Sequence, residues 1–133
     1  MDVAVFWDYE NVRVPRDLNT SEVVHRITEV VLRELPEKLP EVRRIVKFNV
    51  YYDARKPTEL TTDRAGLDAL GGSLVDCPSR GARQKETVDK KLIVDAMEFG
   101  MGYCGSNHIG VVLITSDGDY SYLLSKRRMA RVY

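Results

Sequence analysis

The chain has 133 residues, about the length of one globular domain that buries a substantial core. Its 20 Lys and Arg residues balance 20 Asp and Glu residues, so no net charge draws the whole molecule toward nucleic acid or a membrane. The sequence begins without the basic and apolar segments of a secretory signal, and it lacks an apolar run of about 18 residues that would span a bilayer. We therefore expect an intracellular, cytosol-like protein without membrane contacts. Any binding to nucleic acid must come from a local patch of positive charge.

Strand signals occur five times along the chain. Residues 3–7 and 109–114 are apolar without alternation, which is typical of strands covered on both faces of a parallel sheet. Apolar residues alternate in 45–52, and shorter strands are predicted at 73–77 and 130–133. We expect the two uninterrupted apolar runs to be the central strands of the sheet.

Helix signals separate these strands. Asn19 or Thr20 can cap the first helix, which Pro36 ends. Its apolar stripe comprises Val23, Val24, Ile27, Val30, Val31 and Leu35. Further helices are predicted within 58–70, from about Val88 to Met101, and after Asp119.

The alternation of strands and helices predicts a single α/β domain over residues 1–133, with a mostly parallel sheet flanked by helices. Tyr133 ends the sequence within a predicted strand. We therefore expect a domain excised from a larger protein or truncated at its carboxyl end. Cys77 and Cys104 are predicted to be reduced core residues, since two distant cysteines make neither a disulfide framework nor a zinc site.

Acidic residues follow both apolar runs at the point where each strand ends. Asp8 follows the first run, and Asp117 and Asp119 follow the second behind Thr115 and Ser116. Ligands in open α/β sheets bind outside the carboxyl ends of the strands, where the strand order reverses, so neighbouring strands would bring these acids together. The stretch SDGDY (116–120) fits equally a turn in which Asp119 caps the next helix, although such a turn needs only one carboxylate.

The helix predicted at 88–101 supplies another carboxylate. At about 100° per residue, Asp89 falls inside the apolar face of that helix, and Asp95 lies at its edge. That face comprises Val88, Leu92, Ala96 and Phe99. Alternatively, Asp89 only favours the helix dipole and Asp95 is a surface residue. Gathered carboxylates repel one another unless they share a cation, and carboxylates with water are the ligands that Mg²⁺ and Mn²⁺ prefer.

Three motifs in order resemble those of the NYN-domain family, relatives of the PIN and flap-nuclease superfamily: FWDYENVRVP (6–15), TVDKKLIVDA (87–96) and VVLITSDGDYSYLL (111–124). The first motif is most similar to the limkain-type branch, which is associated with meiotic RNA control. The resemblance implies a three-layer, Rossmann-like fold and an Mg²⁺- or Mn²⁺-dependent endoribonuclease. It implies metal-site acids at Asp8, Asp89, Asp117 and Asp119, and a catalytic Asn11. The chain departs from the family at 127–130, where a Gly usually precedes the last strand.

Side chains around these acids are expected to support the site and to hold the substrate. Glu10, Asp95 and Ser116 would hold the metal-binding residues in place, although each also fits a structural role. Phosphate contacts to single-stranded RNA are expected from a basic cluster that alternatively is an ordinary solvated face. This cluster comprises Arg80, Arg83, Lys85, Lys90 and Lys91.

Two other function classes stay open. One is a module of the same fold that binds RNA or another protein without cutting RNA. The other is a phosphotransferase in which Asp8 is a nucleophile and Glu10 an acid. The haloacid-dehalogenase pattern, however, has Asp where this chain has Glu10, and Gly-Thr where it has Asn11-Val12. A ribonuclease mechanism based on two histidines is not expected, because neither histidine lies beside the acidic motifs. His25 is predicted on a helix surface and His108 in a loop.

Overall fold

The computed structural model describes residues 2–15, 17–34, 44–53, 71–77, 84–102 and 109–116. Within these ranges, β1 (Asp2–Asp8), β2 (Arg44–Tyr52), β3 (Gly72–Asp76) and β4 (Ile109–Ile114) form one sheet in the order β3-β2-β1-β4. All neighbouring strands are parallel. The helices are α1 (Thr20–Glu29) and α2 (Gln84–Gly102). The helix predicted at 58–70, the helix after Asp119 and the strand at 130–133 lie outside the described residues.

The sheet separates two apolar clusters. Val5 and Trp7 of β1 pack with Val24 of α1 on one face. Ala4 and Phe6 pack on the other face with a stripe of α2. That stripe comprises Val88, Leu92, Ala96 and Phe99, all buried as predicted. Because successive strand residues point to opposite faces, uninterrupted apolar sequence serves both clusters. The structure confirms a three-layer α/β fold.

The start of α1 is confirmed, and its end differs from the prediction. Asn19 caps the helix, since its side-chain oxygen accepts from the Ser21 backbone N–H at 2.9 Å. The helix continues into a π-helical segment over Val30–Glu34. The apolar stripe was identified with the α-helical period of 3.6 residues, which cannot distinguish the wider turn of a π-helix. It therefore predicted a continuous α-helix.

The strand order reverses beside β1. β2 and β3 lie on one side of β1, and β4 lies on the other. The two uninterrupted apolar runs are therefore neighbours, which is the condition under which the acids that follow them converge. Of the two, β1 is central, whereas β4 has a single neighbour within the described part of the chain. The carboxyl ends of β1 and β4 form the switch point at which ligands bind in such sheets.

Helix α2 begins four residues earlier than predicted, at Gln84. It connects β3 to the parallel β4, so it runs against the strands and its first turns lie at their carboxyl ends. Asp89 therefore occupies the second turn, at the edge where Asp8 ends β1. Neither described helix is long and apolar enough to cross a membrane.

Candidate acidic site at the carboxyl edge of the sheet

Asp8 ends β1 and is completely buried, with a relative exposure of 0%. Its Oδ2 atom accepts a hydrogen bond from the Asn11 side-chain amide. The Thr115 hydroxyl donates to the same oxygen at 3.2 Å. The turn after β1 and the residue after β4 thus converge on one carboxylate oxygen.

The second oxygen of Asp8 has a different environment. Oδ1 is buried and has no hydrogen-bond partner among the residues that the structure describes. Burial raises the pKa of the Asp8 carboxyl, the hydrogen bonds from Asn11 and Thr115 lower it, and the negative charge of Asp89 raises it further. A buried ionised oxygen without a donor is unfavourable, and a bound cation would stabilise it.

Asp89 lies in the second turn of α2 and is partly buried. Its charge is close enough to Asp8 to raise the pKa of that carboxyl. The structure therefore brings Asp8 and Asp89 to one region from distant positions in the sequence. Asp117 and Asp119 lie outside the described residues.

Glu10, Asn11 and Ser116 belong to the turn beside Asp8. Glu10 forms an ion pair with Arg13 at 3.0 Å, and its other oxygen accepts from the Asp53 backbone N–H at 3.3 Å. The Ser116 hydroxyl donates to the Asn11 carbonyl oxygen at 3.5 Å. Glu10 thus ties the turn to the end of β2, and Ser116 ties it to the end of β4.

The Trp7 indole N–H donates to the Val12 carbonyl oxygen at 2.7 Å, which adds a contact from the core to this turn. The Val12 backbone N–H donates to the Asp8 carbonyl oxygen at 3.1 Å. Tyr9 is buried against Trp7 with ring centroids 5.5 Å apart, so it is a core residue rather than an exposed base-stacking platform.

Basic side chains of α2 lie near the same edge. The Lys91 ammonium donates to the Asp76 carbonyl oxygen at 2.6 Å, and Lys90 is exposed. The side chains of Arg80, Arg83 and Lys85 lie outside what the structure describes. Cys77 is buried at the end of β3, as predicted, and burial raises the pKa of its thiol to about 11. This thiol is therefore a protonated core group at neutral pH.

Asp53 is a buried acid that the sequence motifs do not point to. It directly follows β2 and has a relative exposure of 1%. Tyr51 pairs with Asp8 across the sheet, and Asp53 lies two residues beyond Tyr51. Strand alternation therefore directs Asp53 toward the α2 face, as it does Asp8. The available signal was its position directly after an apolar strand, which also singles out Asp8.

Carboxylate oxygens at this edge are the donors that Mg²⁺ and Mn²⁺ prefer. The described residues by themselves contain no group of three or more His, Cys, Asp or Glu side chains placed to hold a metal ion. Asp8 and Asp89 would therefore bind a cation together with further acids. In the sequence, Thr115 and Ser116 follow β4, Asp117 is the next residue, and Asp119 comes two residues later.

The raised pKa of Asp8 predicts how the stability of the metal-free protein depends on pH. The folded state binds this proton more tightly than the unfolded state, whose reference pKa is 3.8. The free energy of unfolding should therefore fall as the pH rises above about 4 through the raised pKa. Urea unfolding in a chelator across this range measures the slope.

Asp8→Asn should flatten this dependence, and Asp17→Asn, which changes an exposed acid, is the comparison variant. The difference between each variant and the parent isolates one carboxyl from all other titrating groups. Equal slopes for the parent and Asp8→Asn would contradict the assignment of the buried proton to Asp8.

Comparison with known families gives one match for this chain. The family model described as NYN domain matches residues 2–133. No curated protein matches the chain. The match covers the acidic edge and both elements that carry Asp8 and Asp89. The likeness to the limkain-type branch within that family stays a prediction.

Proposed function

Because the chain belongs to the NYN-domain family, which has the PIN-like nuclease fold, we propose that it is a metal-dependent endoribonuclease. One observation carries this proposal above the others. Asp8 is completely buried with one oxygen lacking a partner among the described residues, and Asp89 adds a second negative charge beside it. Such an arrangement is unfavourable unless a cation binds there.

Asp8 and Asp89 would hold the cation together with Asp117 and Asp119. A bound Mg²⁺ or Mn²⁺ supplies water activation and charge stabilisation for the hydrolysis of a phosphodiester. Asn11 and Thr115 hold Oδ2 of Asp8, which leaves Oδ1 as the oxygen without a donor among the described residues. These two residues thus orient the carboxylate without carrying charge.

RNA would reach this edge beside the first turns of α2. Lys90 and Lys91 are exposed there, within two residues of Asp89. Lys91 donates to the end of β3, which fixes one cation at the rim of the acidic region. Basic side chains at such a rim neutralise the phosphates that approach the acids. We therefore propose backbone contacts to single-stranded RNA with little sequence preference.

The phosphotransferase alternative is less well supported. Its general acid would be Glu10, but the Glu10 carboxylate pairs with Arg13 at 3.0 Å and accepts from the Asp53 backbone N–H. Both carboxylate oxygens of Glu10 are thus engaged in contacts with the turn and with the end of β2, which favours a structural role for this side chain. His25, which would be needed for a paired-histidine mechanism, lies on the exposed side of α1 beside Glu29.

The proposed function is tested by incubating single-stranded and duplex RNA with the protein in Mn²⁺ and in a chelator, followed by mapping of the product ends. We expect internal cleavage of single-stranded RNA in Mn²⁺ and none in the chelator. Binding of RNA without cleavage in either condition would favour the RNA-binding module. Cleavage that persists in the chelator would contradict a metal-dependent mechanism.

Replacing Arg80, Arg83 and Lys85 by Ala should weaken RNA binding about equally for different sequences. Three lost phosphate contacts would reduce the slope of log affinity against log salt by about 2. Fluorescence anisotropy in a chelator measures this slope on uncut RNA. A matched control removes three exposed cations from elsewhere on the molecule, Arg26, Arg33 and Lys47. If both triple variants keep the slope of the parent, the three replaced side chains belong to an ordinary solvated face.

A further inference from the structure

We infer that Tyr51 is a positioning residue for the acidic site: its hydroxyl, through Asp95, holds α2 at the distance from β1 that lets Asp89 and Asp8 bind one divalent cation. This inference rests on the proposed function. Tyr51 lies outside the motifs that indicate the acids, whereas its partner Asp95 belongs to the second of them.

The backbone of Tyr51 is fixed to the end of β1. Tyr51 pairs with Asp8 in the parallel register, and its carbonyl oxygen accepts from the Tyr9 backbone N–H at 3.1 Å. Tyr9 directly follows Asp8, the last residue of β1. Movement of Tyr51 is therefore coupled to movement of the backbone that carries Asp8.

The side chain of Tyr51 reaches the helix that carries Asp89. Tyr51 is completely buried, and its hydroxyl donates to Asp95 Oδ2 at 2.6 Å. Asp95 lies six residues after Asp89 on α2, which is less than two turns of helix. One side chain thus connects the strand pair at Asp8 to the helix segment at Asp89.

Asn49 fixes the direction of this hydrogen bond. The Asn49 side-chain amide, which is buried, donates to the Tyr51 hydroxyl oxygen at 3.1 Å. The hydroxyl hydrogen is thereby left for Asp95. Burial raises the pKa of Tyr51, and the hydrogen bond to Asp95 raises it further, so the hydroxyl stays protonated as a donor.

Apolar packing alone does not fix the position of α2 along the sheet so closely. Leu92, Ala96 and Phe99 supply non-directional contacts, which tolerate small shifts of the helix. A buried hydrogen bond to a charged acceptor is directional and is worth about 1.5–3 kcal/mol. Lys91 provides a second hydrogen bond from α2 to the sheet, but its side chain is solvent-exposed.

Groups that orient metal ligands affect metal affinity without touching the metal. Loss of such an outer contact typically lowers affinity 10- to 100-fold. Without the Tyr51 hydroxyl, α2 can shift relative to β1, and the separation of Asp89 from Asp8 is no longer held at one value. The expected effect is therefore on cation affinity and exceeds any effect on the fold.

The test compares Tyr51→Phe with Tyr52→Phe. Both variants remove one hydroxyl from a buried tyrosine of β2, but Tyr52 belongs to the cluster on the α1 face. Calorimetric titration with Mn²⁺ in the absence of RNA gives the affinity, and circular dichroism verifies the fold. We expect Tyr51→Phe to weaken Mn²⁺ binding about 10-fold and Tyr52→Phe to leave it within about twofold of the parent.

Variants of Asp95 distinguish positioning from a direct charge effect. Asp95→Asn keeps an oxygen that accepts from Tyr51 and should retain Mn²⁺ affinity within about threefold, whereas Asp95→Ala should weaken it as Tyr51→Phe does. Because Asp95 is partly exposed, these variants also test the inference if Tyr51→Phe does not fold.

Three results would overturn this inference. Unchanged Mn²⁺ affinity in Tyr51→Phe and Asp95→Ala would remove the positioning role and leave the proposed function intact. Equal weakening by Asp95→Asn and Asp95→Ala would make Asp95 an electrostatic contributor in its own right. A parent protein that does not bind Mn²⁺ would overturn the proposed function together with the role of Tyr51.

Discussion

Asp8→Asn should lower the rate of RNA cleavage by about two to three orders of magnitude, the loss seen when one group that stabilises developing charge is removed. Asn has nearly the shape of Asp and keeps an oxygen that accepts from Asn11 and Thr115. It loses the negative charge that attracts a cation. Single-turnover cleavage of a labelled RNA in saturating Mn²⁺ measures the effect on the chemical step.

The same substitution should raise the stability of the metal-free protein by about 1 kcal/mol at neutral pH. Asp8 is buried beside Asp89, so removal of its charge relieves both desolvation and repulsion. An activity loss that accompanies a stability gain cannot be attributed to unfolding. Urea unfolding in a chelator provides this second measurement.

Two further variants sharpen the comparison. Asp17→Asn removes an exposed acid and should cleave RNA as the parent does. Asn11→Ala should lose less activity than Asp8→Asn, because Asn11 orients Asp8 and carries no charge. If Asp8→Asn cleaves as fast as the parent, the nuclease proposal fails. If the parent and Asp8→Asn both bind RNA and neither cleaves, the RNA-binding module replaces it.

The central part of the fold is predictable because its determinants are local in the sequence. Residues 3–7 and 109–114 are apolar without alternation, as expected of strands covered on both faces, and both form strands of the parallel sheet. The helical period places Leu92 and Ala96 in the core, where the structure has them. The proximity of Asp8 and Asp89 follows from this topology, since parallel connections bring the start of α2 to the end of β1.

Contacts between elements are less accessible to sequence patterns. Tyr51 and Asp95 are 44 residues apart, and no period relates them. Their hydrogen bond depends on the position of α2 along the sheet, which apolar spacing leaves undetermined. Asn49 and Tyr51 occupy alternate positions of β2, as any two residues on one face of a strand do. Their positions in the sequence therefore do not indicate the hydrogen bond between them. The role of Glu10 depends likewise on the neighbouring β2, whose end supplies the Asp53 N–H.

Leu92→Ala is the substitution with the largest expected effect on stability. Leu92 has a relative exposure of 0% and lies on α2 between Asp89 and Asp95. Removal of its side chain leaves a cavity in the cluster that also contains Phe6, and should lower the free energy of unfolding by about 3 kcal/mol. Thermal unfolding should show a decrease in Tm of roughly 10 °C.

Val94→Ala is the matched control, because Val94 lies two residues away on α2 and is 62% exposed. We expect it to change the free energy of unfolding by no more than about 0.5 kcal/mol. A similar loss in both variants would mean that the outer face of α2 is covered in solution, and would contradict the assignment of Leu92 alone to the core.

Mn²⁺ should restore much of the stability that Leu92→Ala loses, because the proposed cation joins α2 to β1 through Asp89 and Asp8. A ligand at 100 times its dissociation constant stabilises the folded state by about 2.7 kcal/mol, which is close to the expected loss. The double variant Asp8→Asn/Leu92→Ala should gain little from Mn²⁺, since its acidic site lacks one charge. Equal stabilisation of Leu92→Ala and the double variant by Mn²⁺ would mean that the cation binds elsewhere. No stabilisation of either variant or of the parent would contradict a cation at the carboxyl edge.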